Sequence, residues 1–179
     1  LDLGAEAEPL DEASEEVAEA PVDKALADSS PYPEDPEALA AFQEWTWSEA
    51  NLRRFLLDDP TGAMNLLLEV FASGRRDPEL LESLAELLTE HGDWERLKSV
   101  LTSAVDEGSA SSADYEALSN LLERRYRDLP AAVEVLKNSI RHYPNDPILA
   151  RRLVESLTTM RDPDALIDAL GNLLEVTSS

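Results

Sequence analysis

Two histidines, 38 carboxylates and no cysteine are what this chain offers for building chemistry. His91 and His142 lie far apart in sequence. Neither sits in a His-Glu-x-x-His or Cys/His spacing, so a zinc site would lack ligands. Each falls in the last turn of a helix-forming stretch, where partial positive charge complements the helix dipole. Six scattered glycines form no phosphate-cradling loop, and Ser48 and Ser73 lie outside any nucleophile-elbow motif. Acids are abundant enough for a paired-carboxylate hydrolase, yet nothing in the sequence sets two of them in different environments. The residues therefore point to a protein that is not an enzyme and needs no cofactor or metal. Charge and shape are left to do the work.

The charge is lopsided. Lys plus Arg number 15 against 38 acids, a net charge of −23 over 179 residues. A phosphate backbone requires a basic footprint, so direct nucleic-acid binding is not expected. A basic protein segment is the natural counterpart. Residues 1–37 hold 13 of the acids against Lys24 alone, together with five of the eleven prolines. A segment of that composition buries too little apolar surface to offset its ordering entropy. The expected division is an acidic, extended or disordered segment over 1–35 and a helical domain over 36–179. A second reading makes the segment a strap that folds along a surface through Leu10, Val17, Val22, Leu26 and Tyr32. No apolar run approaches the roughly 20 residues of a membrane span, and no signal sequence heads the chain. The expected setting is cytoplasmic. Richness in Ala, Leu, Glu and Arg fits a bacterial protein, and the start at Leu1 suggests a piece of a longer one.

The elements that would position any site are helices with plain start signals. Asp77-Pro78, Asp128-Leu129-Pro130, Asp146-Pro147 and Asp162-Pro163 each offer a capping carboxylate and a proline suited to the first turn, and Gly92-Asp93 does so without the proline. Leading helices are expected near Pro78, Ser112 and Pro147, and returning helices near Asp93, Leu129 and Pro163. The intervals of 34, 35, 36 and 34 residues are those of a stacked array of helical hairpins. Leu80, Leu81, Leu84, Leu87 and Leu88 make the first leading helix apolar on more than one face, as packing on both sides requires. Leu149, Leu153, Leu157 and Met160 should pair with Leu166, Ala169, Leu170, Leu173 and Leu174. Before Asp77 the pattern predicts three pieces: one with Leu39, Phe42 and Trp45, one capped by Ser48 and carrying Leu52, Phe55 and Leu56, and one with Met64, Leu67, Leu68 and Phe71. Trp45 and Trp47 are expected in the core or in an end cap; the other reading is an exposed aromatic anchor.

Residues 77–176 resemble the tetratricopeptide repeat (TPR) family. The clearest unit is Tyr115 to Pro147, where Ala132, Leu136, Ser139 and Pro144 match the small, large, small and terminal-proline positions of the second helix. Tyr115, Leu118 and Leu122 match the first helix. The unit from Pro78 matches through Leu84, Leu97, Leu101 and Ala104, with Gly92 at the turn. The unit from Pro147 departs by placing Leu166 and Leu173 where small residues are usual. The resemblance implies an all-α, right-handed solenoid of antiparallel hairpins and the role of a non-catalytic scaffold or adaptor that grips a segment of a partner protein.

Carried over from the family, the groove positions are Glu79, Glu82, Glu86 and Glu90, then Glu116, Asn120, Glu123 and Arg124, then Ile148, Arg151, Arg152 and Glu155. Charge changes sign along this row, so a complementary partner is basic toward the first unit and acidic toward the third. The same glutamates would also suit a plain solvated helix face. A carboxylate clamp for a C-terminal tail is not expected, because it needs basic residues where Glu82 and Glu86 stand and only Arg152 fits. Arg124, Arg125, Arg127, Arg141, Arg151 and Arg152 could also receive the chain's own acidic segment. The alternative to a scaffold is an acidic regulator that mimics nucleic acid on a basic surface. Finally, Ile167, Leu170 and Leu174 leave the last helix with an apolar face suited to self-association.

Overall fold

The computed structural model describes residues 31–178, and these contain eight helices and no strand. The helices are α1 (Pro36–Phe55), α2 (Pro60–Ala72), α3 (Pro78–His91), α4 (Trp94–Asp106), α5 (Ser112–Leu121), α6 (Leu129–His142), α7 (Pro147–Met160) and α8 (Pro163–Ser178). They pair into four hairpins, and each of the first three returning helices packs against the leading helix of the next hairpin. Residues 36–178 thus form one helical array. The expected extended character of 1–35 falls, but for 31–35, outside the described residues.

Aspartate sets the punctuation. The side chains of Asp35, Asp59, Asp77, Asp93, Asp128, Asp146 and Asp162 each accept a backbone N–H from the first turn that follows. These are donors with no partner inside the helix. Ser111 does the same at α5 in a reciprocal box, its hydroxyl accepting from Asp114 N while Asp114 Oδ2 accepts the Ser111 N–H at 2.7 Å. The α3–α4 turn is closed by Gly92 in the left-handed region, φ 69°, where a side chain would be strained.

The N-terminal region differs from the expectation. Residues 36–55 form one helix, and Ser48 lies inside it rather than capping a second. No proline or glycine interrupts this stretch, and a mid-helix serine costs only a few tenths of a kcal/mol. α1 and α2 therefore make a complete extra hairpin, closed where Gln43 Nε2 donates to Ser73 Oγ at 3.0 Å. Trp47 is half-buried beneath the Arg75 guanidinium, 4.9 Å above its ring. Trp45 is exposed, contrary to the core expectation, because no described helix covers the outer face of the first hairpin.

A continuous core runs through the array, from Ala50, Met64 and Leu67 through Leu84, Leu101, Leu118 and Leu136 to Leu149, Leu157 and Ala169. Ala104 and Ser139 are fully buried at their helix crossings. Tyr115 is buried with its ring stacked on His142 at 5.9 Å and edge-on to Tyr143 at 6.0 Å. Burial, with Tyr143 and Asp106 nearby, pushes its hydroxyl pKa up. Tyr143 in turn donates to the Ala110 carbonyl at 2.8 Å. The third expected interface is narrower than the sequence suggested. Met160, Leu170 and Leu174 are exposed, since α8 has a described neighbour on one side only.

Candidate functional site

The leading helices α1, α3, α5 and α7 share one face of the array, and two cross-helix ion pairs fix their order. Arg54 on α1 meets Glu86 on α3 at 2.6 Å. Arg152 on α7 donates to Asn120 Oδ1 on α5 at 2.5 Å and to Glu123 Oε2, in the turn that follows α5, at 3.0 Å. It also reaches Glu155 on its own helix at 3.2 Å. Both terminal nitrogens of the guanidinium are thus met within the chain, while its Nε is buried with no hydrogen-bond partner among the described residues.

None of the sequence-derived groove residues is buried. Glu79, Glu82, Glu86, Glu90, Arg124, Ile148, Arg151 and Glu155 are exposed, while Glu116, Asn120, Glu123 and Arg152 are half-buried. The structure brings Asn120, Glu123, Arg152 and Glu155 together as one polar cluster. Glu86 is neutralised by Arg54, whereas Glu79, Glu82 and Glu90 have no ion pair among the described residues. Arg124, Arg125, Arg127, Arg141 and Arg151 also have none, in a chain so rich in carboxylates.

Between α3, the start of α4 and α5 lies a cleft of about 350 Å³, lined by Thr89, Trp94, Leu97, Ala117, Asn120, Leu121, Arg124 and Arg125. Its floor is apolar and its rim on the α5 side is cationic. Asn120 belongs both to this cleft and to the Arg152 cluster, so the two are continuous. Two of the sequence-derived residues, Asn120 and Arg124, are therefore cleft residues. Trp94 lies outside the sequence-derived set, and Arg125 stands there only among the arginines suited to the acidic segment, not in the groove row. The sequence places Trp94 just after the Gly92-Asp93 turn, at an apolar position of α4, and such a position reads as core.

The end of α5 explains the cationic rim. The helix passes into a π-helical turn, Leu122–Tyr126, and stops at Arg127 in the left-handed region, φ 59°. Such turns change the direction in which successive side chains leave a helix, and they recur at functional sites. Here consecutive Arg124 and Arg125 both reach the cleft. The Arg125 guanidinium lies 5.6 Å from the Trp94 ring centre and the Lys98 ammonium 4.4 Å from that of Tyr126. Burial, then Glu95, raises the Tyr126 pKa. Cations on aromatic faces are held without being neutralised, so their charge stays available to an anion.

Among the described residues no cluster of His, Asp or Glu has the arrangement of a metal site. His91 Nδ1 lies 2.8 Å from the Leu87 carbonyl and His142 Nδ1 3.1 Å from that of Asn138, which occupies both at helix ends. No described helix is long and apolar enough to cross a membrane.

No family model and no curated protein matches the sequence. Several solved structures match the fold. A MamA crystal structure superposes with a TM-score of 0.57 at 12% identity, over 76% of this chain and 78% of that one. A MamA from Desulfovibrio magneticus RS-1, residues 41 to the end, gives 0.53 at 18% identity over 75% of each chain. YrrB, described as a TPR protein with an unusual peptide-binding site, gives 0.53 at 10% identity over 80% of this chain and 73% of that one. Identities this low speak for architecture alone. The chain has the fold of a TPR-like α-solenoid, four stacked helical hairpins with their leading helices along one face.

Proposed function

We propose that this chain is a non-catalytic scaffold that holds a segment of a protein partner along the face of its leading helices. The observation that carries the reading is the Trp94 cleft, an apolar recess rimmed by Arg124 and Arg125, neither of which has a carboxylate partner among the described residues. A recess of this size takes one or two bulky side chains, and the arginines supply orientation. The segment that fits has a bulky apolar residue in the cleft, carboxylates beside Arg124, Arg125 and Arg151, and basic residues toward Glu79, Glu82 and Glu90. Glu86 and Arg152 contribute less to recognition than their place in the row implies, because each already holds an internal ion pair. The peptide-binding site named for YrrB supports this use of the fold.

The test is a peptide-display selection on the full chain. Enrichment of segments with that polarity, lost in Trp94→Ala, is expected. Enrichment of purely basic segments that Trp94→Ala leaves intact, and that disappears at high salt, would favour a charge-only acidic surface instead.

A further inference from the structure

Both ends of the array carry a largely apolar stripe that no other described helix covers, with the Arg54 guanidinium of the same helix 5.1 Å from the Phe55 ring centre. On α1 the stripe is Ala38, Ala41, Trp45, Ser48, Leu52 and Phe55, all exposed, in alternating steps of three and four residues. Trp45 is 65%, Leu52 46% and Phe55 70% accessible. On α8 it is Pro163, Ile167, Leu170, Leu174 and Thr177, in the same alternation, with Ile167 68%, Leu170 42% and Leu174 68% accessible. Such a spacing is one face of a helix, and single-sided stripes of this size are unusual on a free surface.

The two faces are not alike. α1 is a leading helix and α8 a returning one. Inside the chain a returning helix packs against the next leading helix three times, α2 on α3, α4 on α5 and α6 on α7. The open faces of α8 and α1 are thus the two halves of a junction that the chain already builds. Their helices are comparable in length, about 24 Å for α8 and about 30 Å for α1 at the usual rise per residue. Gly171 adds an independent sign. It lies on the exposed side of α8, and a Cβ there would meet nothing within 4 Å. A glycine inside a helix is a poor choice unless another backbone or a large side chain must come close. No described neighbour comes close to it.

We propose that a second copy of this chain covers the α8 stripe with its own α1 stripe, continuing the solenoid from one molecule into the next. The contact is head-to-tail, so it does not close on itself and each added copy presents the same two ends. The occupant's long aromatic side chains, Trp45 and Phe55, face the Ile167, Leu170 and Leu174 row beside the Gly171 notch. Like charge opposes the contact, since the net charge is −23, and screening therefore favours it. This inference is independent of the cleft.

Sedimentation of the full chain over a concentration series tests the proposal directly. Average mass should rise past the dimer without a plateau, and more steeply at 0.5 M salt than at low salt. Two variants locate the faces: Trp45→Glu with Phe55→Glu closes one end, and Ile167→Glu with Leu174→Glu closes the other. Each alone should be monomeric with unchanged helical content, and an equimolar mixture should form a dimer and nothing larger. Gly171→Leu should weaken assembly at least tenfold. A wild-type chain that stays monomeric to millimolar concentration, an assembly that salt dissolves, or a mixture that stays monomeric would each overturn the proposal. So would a variant closed at α1 that still dimerises, since that contact would be α8 on α8.

Discussion

Arg152 and Asn120 stand 32 positions apart and touch at 2.5 Å, the guanidinium of α7 donating to the amide oxygen of α5. The contact, with Glu123 and Glu155 around the same arginine, joins the leading helices of neighbouring hairpins on the face where a partner would lie. A residue placed in a recognition row is thereby a structural tie.

Arg152→Ala should for that reason cost stability more than recognition. The arginine is mostly buried against charged and polar acceptors, a setting in which loss of the pair costs about 1–2 kcal/mol. Urea unfolding should show the loss, and the apparent affinity of a display-selected peptide should change less than threefold. An affinity loss above tenfold at unchanged stability would return Arg152 to the recognition row.

Asp77 ties stability to pH. Burial works against its charge, but the Arg75 guanidinium and the Leu80 N–H hold its carboxyl below the usual range. A carboxylate with a lowered folded pKa contributes stability above its unfolded pKa and loses that contribution as pH falls through the folded value. Asp77→Ala should cost about 1 kcal/mol at pH 7, the worth of a helix cap. The deficit should shrink as pH drops below about 4, where the wild type loses the same contribution. Stability curves for the two proteins that stay parallel down to pH 2 would show that the cap is not electrostatic.

Arg127 and Arg161 close their helices at φ 59° and φ 60°. The left-handed region costs a residue with a Cβ about 1 kcal/mol, and neither arginine has an ion pair among the described residues to offset it. Arg161→Gly should raise the unfolding free energy by up to about 1 kcal/mol, less the added chain entropy of glycine in the unfolded state. A lower melting temperature in calorimetry would contradict this.

The helix starts were legible because each relies on adjacent residues. An aspartate three residues ahead of an N–H, followed by proline, needs no knowledge of the rest of the chain. Residues 36–55 were misread as two helices because a serine that can cap looks the same in sequence when it does not. The ties of the leading-helix face were not legible. Arg54 with Glu86 and Arg152 with Glu123 are separated by whole hairpins, and many other acids could have served. Trp94 was visible as an apolar position and does pack against the core; that it also lines the cleft depends on how α5 ends. That end is a π-helical turn, which no local residue pattern announces.

Trp94 emission reports whether a partner side chain enters the cleft. The protein carries Trp45→Phe and Trp47→Phe, which leaves Trp94 as its only fluorophore of this type. A display-selected peptide with a bulky apolar residue between carboxylates is titrated against it, and against the same protein with Arg124→Glu and Arg125→Glu. A saturable shift in Trp94 emission and at least tenfold weaker binding after charge reversal are expected. Binding that leaves Trp94 emission unchanged, or that is indifferent to the reversal, would contradict binding at the cleft.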